Sequence, residues 1–145
     1  MAEGDDADEQ RQYVAKALGG RKAHGERFAI YIPNKGRSPI EGNPQVEIPD
    51  WESWVRRAVD VLGDINGGAT AYSPSIGYYA DDERGGERVW ERTVFVYSFV
   101  DRDVFRARIS EIRSFAHEFG RETRQGSVFF EFDGYAYSVS PPYDS

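Results

Sequence analysis

The chain has 145 residues, no cysteine, two histidines and a formal net charge of -7. That length suits one domain, able to bury about two-thirds of its unfolded surface without a disulfide or metal; the absence of thiols excludes disulfide scaffolds, thiolate catalysis, zinc ribbons and iron–sulfur clusters. No apolar run approaches the ~18 residues of a spanning helix, so a cytoplasmic protein without a membrane partner is expected.

The acidity is uneven. Residues 1–10 hold Glu3, Asp5, Asp6, Asp8 and Glu9 with no Lys or Arg, so they carry -5 and the remainder of the chain only -2. Non-specific attraction to a phosphate backbone is therefore disfavoured. Residues 1–25 read as an acidic extension, disordered over Met1–Asp6 and helical from Ala7 to Leu18, with Gly19-Gly20 as its stop. Arg21, Lys22, His24 and Arg27 form a short basic cluster, whose plain reading is a solvated linker.

One domain is expected over 26–140, with a tail at 141–145. Glu26–Ile32 alternates Phe28, Ile30 and Ile32 against Ala29 and Tyr31, the period of a strand. Asn34–Pro49, rich in Pro and Gly, reads as a long connection. Asp50 is placed to cap a helix running to about Leu62, with Trp51, Val55, Ala58 and Leu62 as its apolar stripe. Ala69–Ser73 starts a second strand that Tyr78-Tyr79 extends, and Asp81–Glu87 with Gly85-Gly86 reads as a hairpin tip. Arg88–Val100 is the strongest strand, with Val94, Val96 and Val100 on one face and Phe95, Tyr97 and Phe99 on the other. Asp101 or Asp103 caps a helix with the stripe Phe105, Ile109, Ile112, Ala116 and Phe119, ended by Gly120. Ser127–Phe132, Asp133-Gly134 and Tyr135–Val139 form a hairpin.

This order predicts an α+β fold: a ferredoxin-like sandwich, βαββαβ with an added C-terminal hairpin strand, its antiparallel sheet covered by two helices on one face. Large apolar groups on both faces of the central strands exceed what two helices cover. A homodimer is the expected remedy, and packing of the N-terminal helix on the sheet the rival one.

The topology gathers polar residues at one end of the sheet. Gly120-Arg121-Glu122-Thr123-Arg124-Gln125-Gly126 offers guanidiniums that could hold an anion and a carboxylate that could move a proton, although Gly and cations are also usual at a helix C-terminus. Glu83, Glu87 and Glu91 flank a glycine turn, where charge also serves solubility, and Glu91 stands out because a carboxylate within a strand needs a partner. Glu91, Glu122, Arg121 and Gln125 are the catalytic candidates; Lys35, Arg37, Glu87, Thr123 and Arg124 are the binding candidates. Gly67-Gly68-Ala69-Thr70 enters a strand rather than a helix and lacks a following Gly-Lys-Ser/Thr, so it is no phosphate loop. His24 and His117 are distant in sequence, and His117 falls off the buried stripe. No metal site or cofactor is expected. The strand Val94–Phe99 lacks the basic-Gly-aromatic opening of RNA-recognition strands.

On Gly67-Gly68-Ala69-Thr70, Glu91 and the Gly120-Arg121-Glu122 … Gln125-Gly126 pattern, residues 26–139 resemble small prokaryotic ferredoxin-like proteins without an established function. The resemblance implies that fold and weight for those motif positions. The leading expectation is a non-enzymatic binding or accessory domain, homodimeric and engaging a protein partner by the polar rim or the uncovered sheet face. The alternatives are a small enzyme using the Glu/Arg/Gln cluster, and nucleotide or single-stranded nucleic-acid binding.

Overall fold

A computed structural model describes residues 3–21, 25–40, 45–72, 74–81 and 87–145. His24, Glu83 and the Gly85-Gly86 turn lie outside the described residues, as does the Glu87 side chain. The chain is α+β, with three helices and an antiparallel sheet of six strands among the described residues.

Helix α1 spans Glu3–Ala17, so it begins within the stretch expected to be disordered. Its Tyr13 and Leu18 beyond its end are exposed, and it leaves the sheet uncovered. Strand β1 (Glu26–Pro33) is central, pairing antiparallel with β6 (Glu87–Val100) on one side and β7 (Val128–Phe132) on the other. Beyond β6 lie the short β4 (Thr70–Ala71) and β5 (Ser75–Asp81), and beyond β7 lies β8 (Tyr135–Val139). Pro74, which has no N–H for a ladder, falls between β4 and β5. The expected long connection contains a two-stranded ribbon, β2 (Lys35–Gly36) against β3 (Val46–Glu47).

Helices α2 (Trp51–Asn66) and α3 (Arg102–Glu122) pack on one face of this sheet. The core joins Phe28, Ile30 and Ile32 of β1, Val94, Val96 and Val100 of β6 and Val128 of β7 to Trp54, Ala58 and Leu62 of α2 and Ile112, Phe115 and Phe119 of α3. The α3 stripe differs from the expected one: Phe115 is buried, whereas Ile109 is 45% exposed. The buried face of α3 rotates towards Trp54, whose ring meets those of Phe115 and Phe119 at 6.2 and 5.4 Å. Asp101 caps α3, its carboxylate accepting from the Asp103 and Val104 N–H groups. Asp50 precedes α2 without making a side-chain cap, and Gly67 ends that helix at φ 85. In the β7–β8 hairpin, Asp133 and Gly134 both take positive φ, 51 and 87, as a tight two-residue turn requires.

Candidate functional site

Alternation sorts the strand side chains between the two faces. The helix-free face receives Arg27, Ala29 and Tyr31 from β1 and Glu131 from β7, since Ala29 pairs with both Tyr97 and Glu131. From β6 it receives every second residue: Glu91, Thr93, Phe95, Tyr97 and Phe99. Tyr72, just past β4, joins them by donating its N–H to the Phe95 carbonyl.

Midway along this face Arg27, Ala29, Tyr31, Tyr72, Phe95, Tyr97 and Glu131 line a pocket of about 220 Å³. Its walls are ring contacts: Tyr31 edge-on to Phe95 at 4.7 Å and Tyr72 stacked on Tyr97 at 4.9 Å. The Arg27 guanidinium lies over the Tyr97 ring at 5.2 Å. Tyr31 donates its hydroxyl to Glu131. Burial, then that hydrogen bond and the Glu131 charge, push the Tyr31 phenol up to about 12.

At the end of the same row is Glu91, half-buried. Burial pushes its carboxyl up to about 7, against the opposing pull of the Lys35 ammonium and a hydrogen bond from Thr93. Lys35 is delivered by β2. Asn34 donates its N–H to the Arg92 carbonyl at 2.8 Å, and its Oδ1 accepts from the Arg92 N–H at 2.9 Å. The Lys35 ammonium then reaches the Trp90 carbonyl at 3.0 Å.

The remaining sequence candidates serve a different end. Gln125 is buried, donating to the Lys35 carbonyl and to Thr123 Oγ1. Thr123 donates to the Phe119 carbonyl and so ends α3. Arg124 is exposed at φ 57, as the turn into β7 requires, and its carbonyl accepts from the Arg37 N–H. Arg121 donates to the Asp144 carbonyl and lies 3.5 Å from Glu122. The structure therefore gathers Lys35, Arg37, Thr123, Arg124 and Gln125 in one corner, with Lys35 as the bridge to Glu91, while Arg121 faces the C-terminal tail. Glu87 pairs through its backbone with Asp81.

His117 is 6% exposed rather than surface-facing, because the tail folds over it: the Asp144 N–H donates to its Nδ1 at 2.8 Å. Gly120 admits the Tyr143 ring, which a Cβ there would meet at 2.5 Å. Among the described residues no group of three or more His, Asp or Glu could hold a metal ion, and no helix is long and apolar enough to cross a membrane. Tyr31, Thr93 and Glu131 are not among the sequence candidates, and Arg27, expected in a solvated linker, lies in β1; their signal was only that they occupy alternate strand positions beside the aromatic row.

No protein-family model matches the chain, and no curated protein does. Among solved structures the chain is similar to a phage SAM lyase in complex with S-methyl-5'-thioadenosine, with a TM-score of 0.57 and 17% identity, covering 86% of this chain and 95% of that one. It is similar also to a phage SAM lyase in the apo state, with a TM-score of 0.55 and 17% identity over 86% and 97% of the two chains. The likeness is one of fold; those neighbours are enzymes, which runs against the expectation of a non-enzymatic accessory domain.

Proposed function

We propose that the chain is an enzyme that cleaves S-adenosylmethionine, releasing S-methyl-5'-thioadenosine, on the helix-free face of a ferredoxin-like sheet. The observation that carries this reading is the half-buried Glu91 carboxyl, within the influence of the Lys35 charge, at the end of an aromatic row. The fold shared with phage SAM lyase supports it.

The substrate is a sulfonium joined to a purine nucleoside and a four-carbon amino-acid arm. Conversion to S-methyl-5'-thioadenosine breaks the bond between sulfur and that arm as an oxygen of the arm's own carboxylate attacks the carbon bonded to sulfur, closing a five-membered lactone. The electron pair goes to sulfur, and its positive charge is extinguished. An ion pair to the sulfonium would weaken in the transition state and so would not accelerate the step. A carboxylate serves better by holding the arm's ammonium, whose charge persists. Glu91 and Lys35, whose charges act on one another, match the arm's ammonium and carboxylate and orient the arm. Glu91 and Phe95 are four residues apart on one strand, ~13 Å, which suits an extended substrate with its purine on the rings of Tyr31, Tyr72, Phe95 and Tyr97. The sulfonium then lies between the two ends, beside Thr93, where exclusion of water favours loss of charge.

The pocket is smaller than the ~300–1,000 Å³ of typical small-molecule sites. The homodimer expected from the sequence is therefore kept as part of the proposal: a second copy on this face would cover Phe99 and Phe129, each 49% exposed, and deepen the pocket. Light scattering that gave a strict monomer would remove that element.

Purified protein incubated with S-adenosylmethionine should yield S-methyl-5'-thioadenosine by chromatography with mass detection. Glu91→Gln should lower kcat/KM roughly ten- to hundredfold, the worth of a charged hydrogen bond. Absence of product from the wild-type chain would sink the reading.

A further inference from the structure

Gln125 lies in the turn between α3 and β7. No part of the proposed substrate reaches it, yet its side chain is buried and its amide nitrogen donates twice, to the Lys35 carbonyl at 2.9 Å and to Thr123 Oγ1 at 3.1 Å. Thr123 Oγ1 donates onward to the carbonyl of Phe119, a residue with 0% exposure in the core. The backbone of the same turn is held by the Tyr143 hydroxyl, which donates to the Gln125 carbonyl at 2.9 Å.

The neighbours of Lys35 are fixed to this corner as well. The Arg37 N–H donates to the Arg124 carbonyl at 2.9 Å. A Cβ at Gly36 would sit 1.7 Å from the Thr123 carbonyl oxygen, so the two backbones are in direct contact. A Cβ at Gly126 would meet the Arg37 guanidinium at 2.7 Å. Residues 35–37 are thus clamped to the end of α3, and from that clamp the Lys35 ammonium extends to the Trp90 carbonyl, one residue from Glu91.

We propose that Gln125 is a positioning residue: by fixing the Lys35 backbone it sets where the Lys35 ammonium stands beside Glu91. Core packing at Phe119 is thereby transmitted through Thr123, Gln125 and Lys35 to the site. The inference rests on the reading of Glu91 and Lys35 as the place where the substrate's arm is held. Lys35 is the charged group that acts on Glu91, with Thr93 its hydrogen-bond donor. Glu47 of β3 stands opposite Lys35 in register, and Gly77 of β5, opposite Glu91, carries no charge.

The test follows the Glu91 carboxyl carbon by NMR through a pH titration, its signal assigned by its absence in Glu91→Gln. Lys35→Met should raise the midpoint by about one pH unit, as loss of a neighbouring opposite charge does. Gln125→Met, of similar length but unable to donate, should raise it by roughly half as much. The double variant should match Lys35→Met alone, because Gln125 acts only through Lys35. An unchanged midpoint in a folded Gln125→Met, or additive shifts in the double variant, would overturn the proposal. Should Gln125→Met not fold, Thr123→Val loosens the same amide and is judged by the same midpoint. The titration needs no substrate. Failure of S-adenosylmethionine cleavage would remove the proposed function without touching this result, and a still midpoint would remove the positioning role without touching the activity.

Discussion

Replacing Glu91 by Gln should stabilise the protein, and the gain should grow with pH. The folded state holds the Glu91 proton more tightly than the unfolded chain does, because burial raises the carboxyl from 4.5 to about 7. Between those values the native state binds more protons than the unfolded state, so wild-type stability falls as pH rises. Each tenfold change in proton affinity is worth about 1.4 kcal/mol, and the full displacement would cost the wild type about 3 kcal/mol above pH 7. Water still reaches the group, and screening of a partly exposed charge reduces the figure to about 1.5 kcal/mol. Gln keeps the shape and removes the titration. Urea denaturation of both proteins at steps from pH 4 to 8 should give a stability difference near zero at the acid end, rising through pH 4.5 to 7 and flat beyond. Taking the difference cancels groups that titrate alike in both proteins, Asp144 and Glu118 among them, whose arginine partners lower their values. A difference independent of pH, or one favouring the wild type at neutral pH, would refute the burial of Glu91.

Gly36→Ala and Gly120→Ala should separate sharply. The first drives a Cβ into the Thr123 backbone carbonyl and should cost about 1–3 kcal/mol by overpacking; the second meets a side chain, the Tyr143 ring, rather than backbone and should cost less, read as midpoints of chemical denaturation. Tyr31 should ionise with its midpoint raised to about 12 by burial, and Tyr31→Phe should delete that step from the tyrosinate absorbance. By the same linkage, the Tyr31 contribution to stability is lost as pH rises from 10 through 12. Trp54→Ala removes a ring that contacts Phe115 and Phe119 and lies under the Arg57 guanidinium at 4.4 Å. It should cost about 3–5 kcal/mol, and a smaller loss in thermal denaturation would mean that α2 and α3 repack freely.

What the sequence by itself determined is local. Asp133-Gly134 must turn because two adjacent residues can accept positive φ there, and Asp101 must start α3 because its carboxylate can reach the next free N–H groups. The two faces of β6 follow from alternation, which also made legible that the sheet carries more apolar surface than two helices cover. Tertiary structure decided the rest, because burial and ionisation depend on what distant segments lay over a residue. His117 looks like an exposed helix position and Gly120 like a helix stop, yet α3 runs on to Glu122 and the tail brings Asp144 and Tyr143 onto them. The Gly120–Gly126 run reads as a helix end or an anion site, and in the fold its Thr123 and Gln125 are spent on the Phe119 and Lys35 carbonyls. Glu91 could be singled out in the sequence, but its carboxyl is raised only by the burial that the folded chain imposes, while β2, clamped across 90 residues of chain by Gln125, sets Lys35 to oppose that rise.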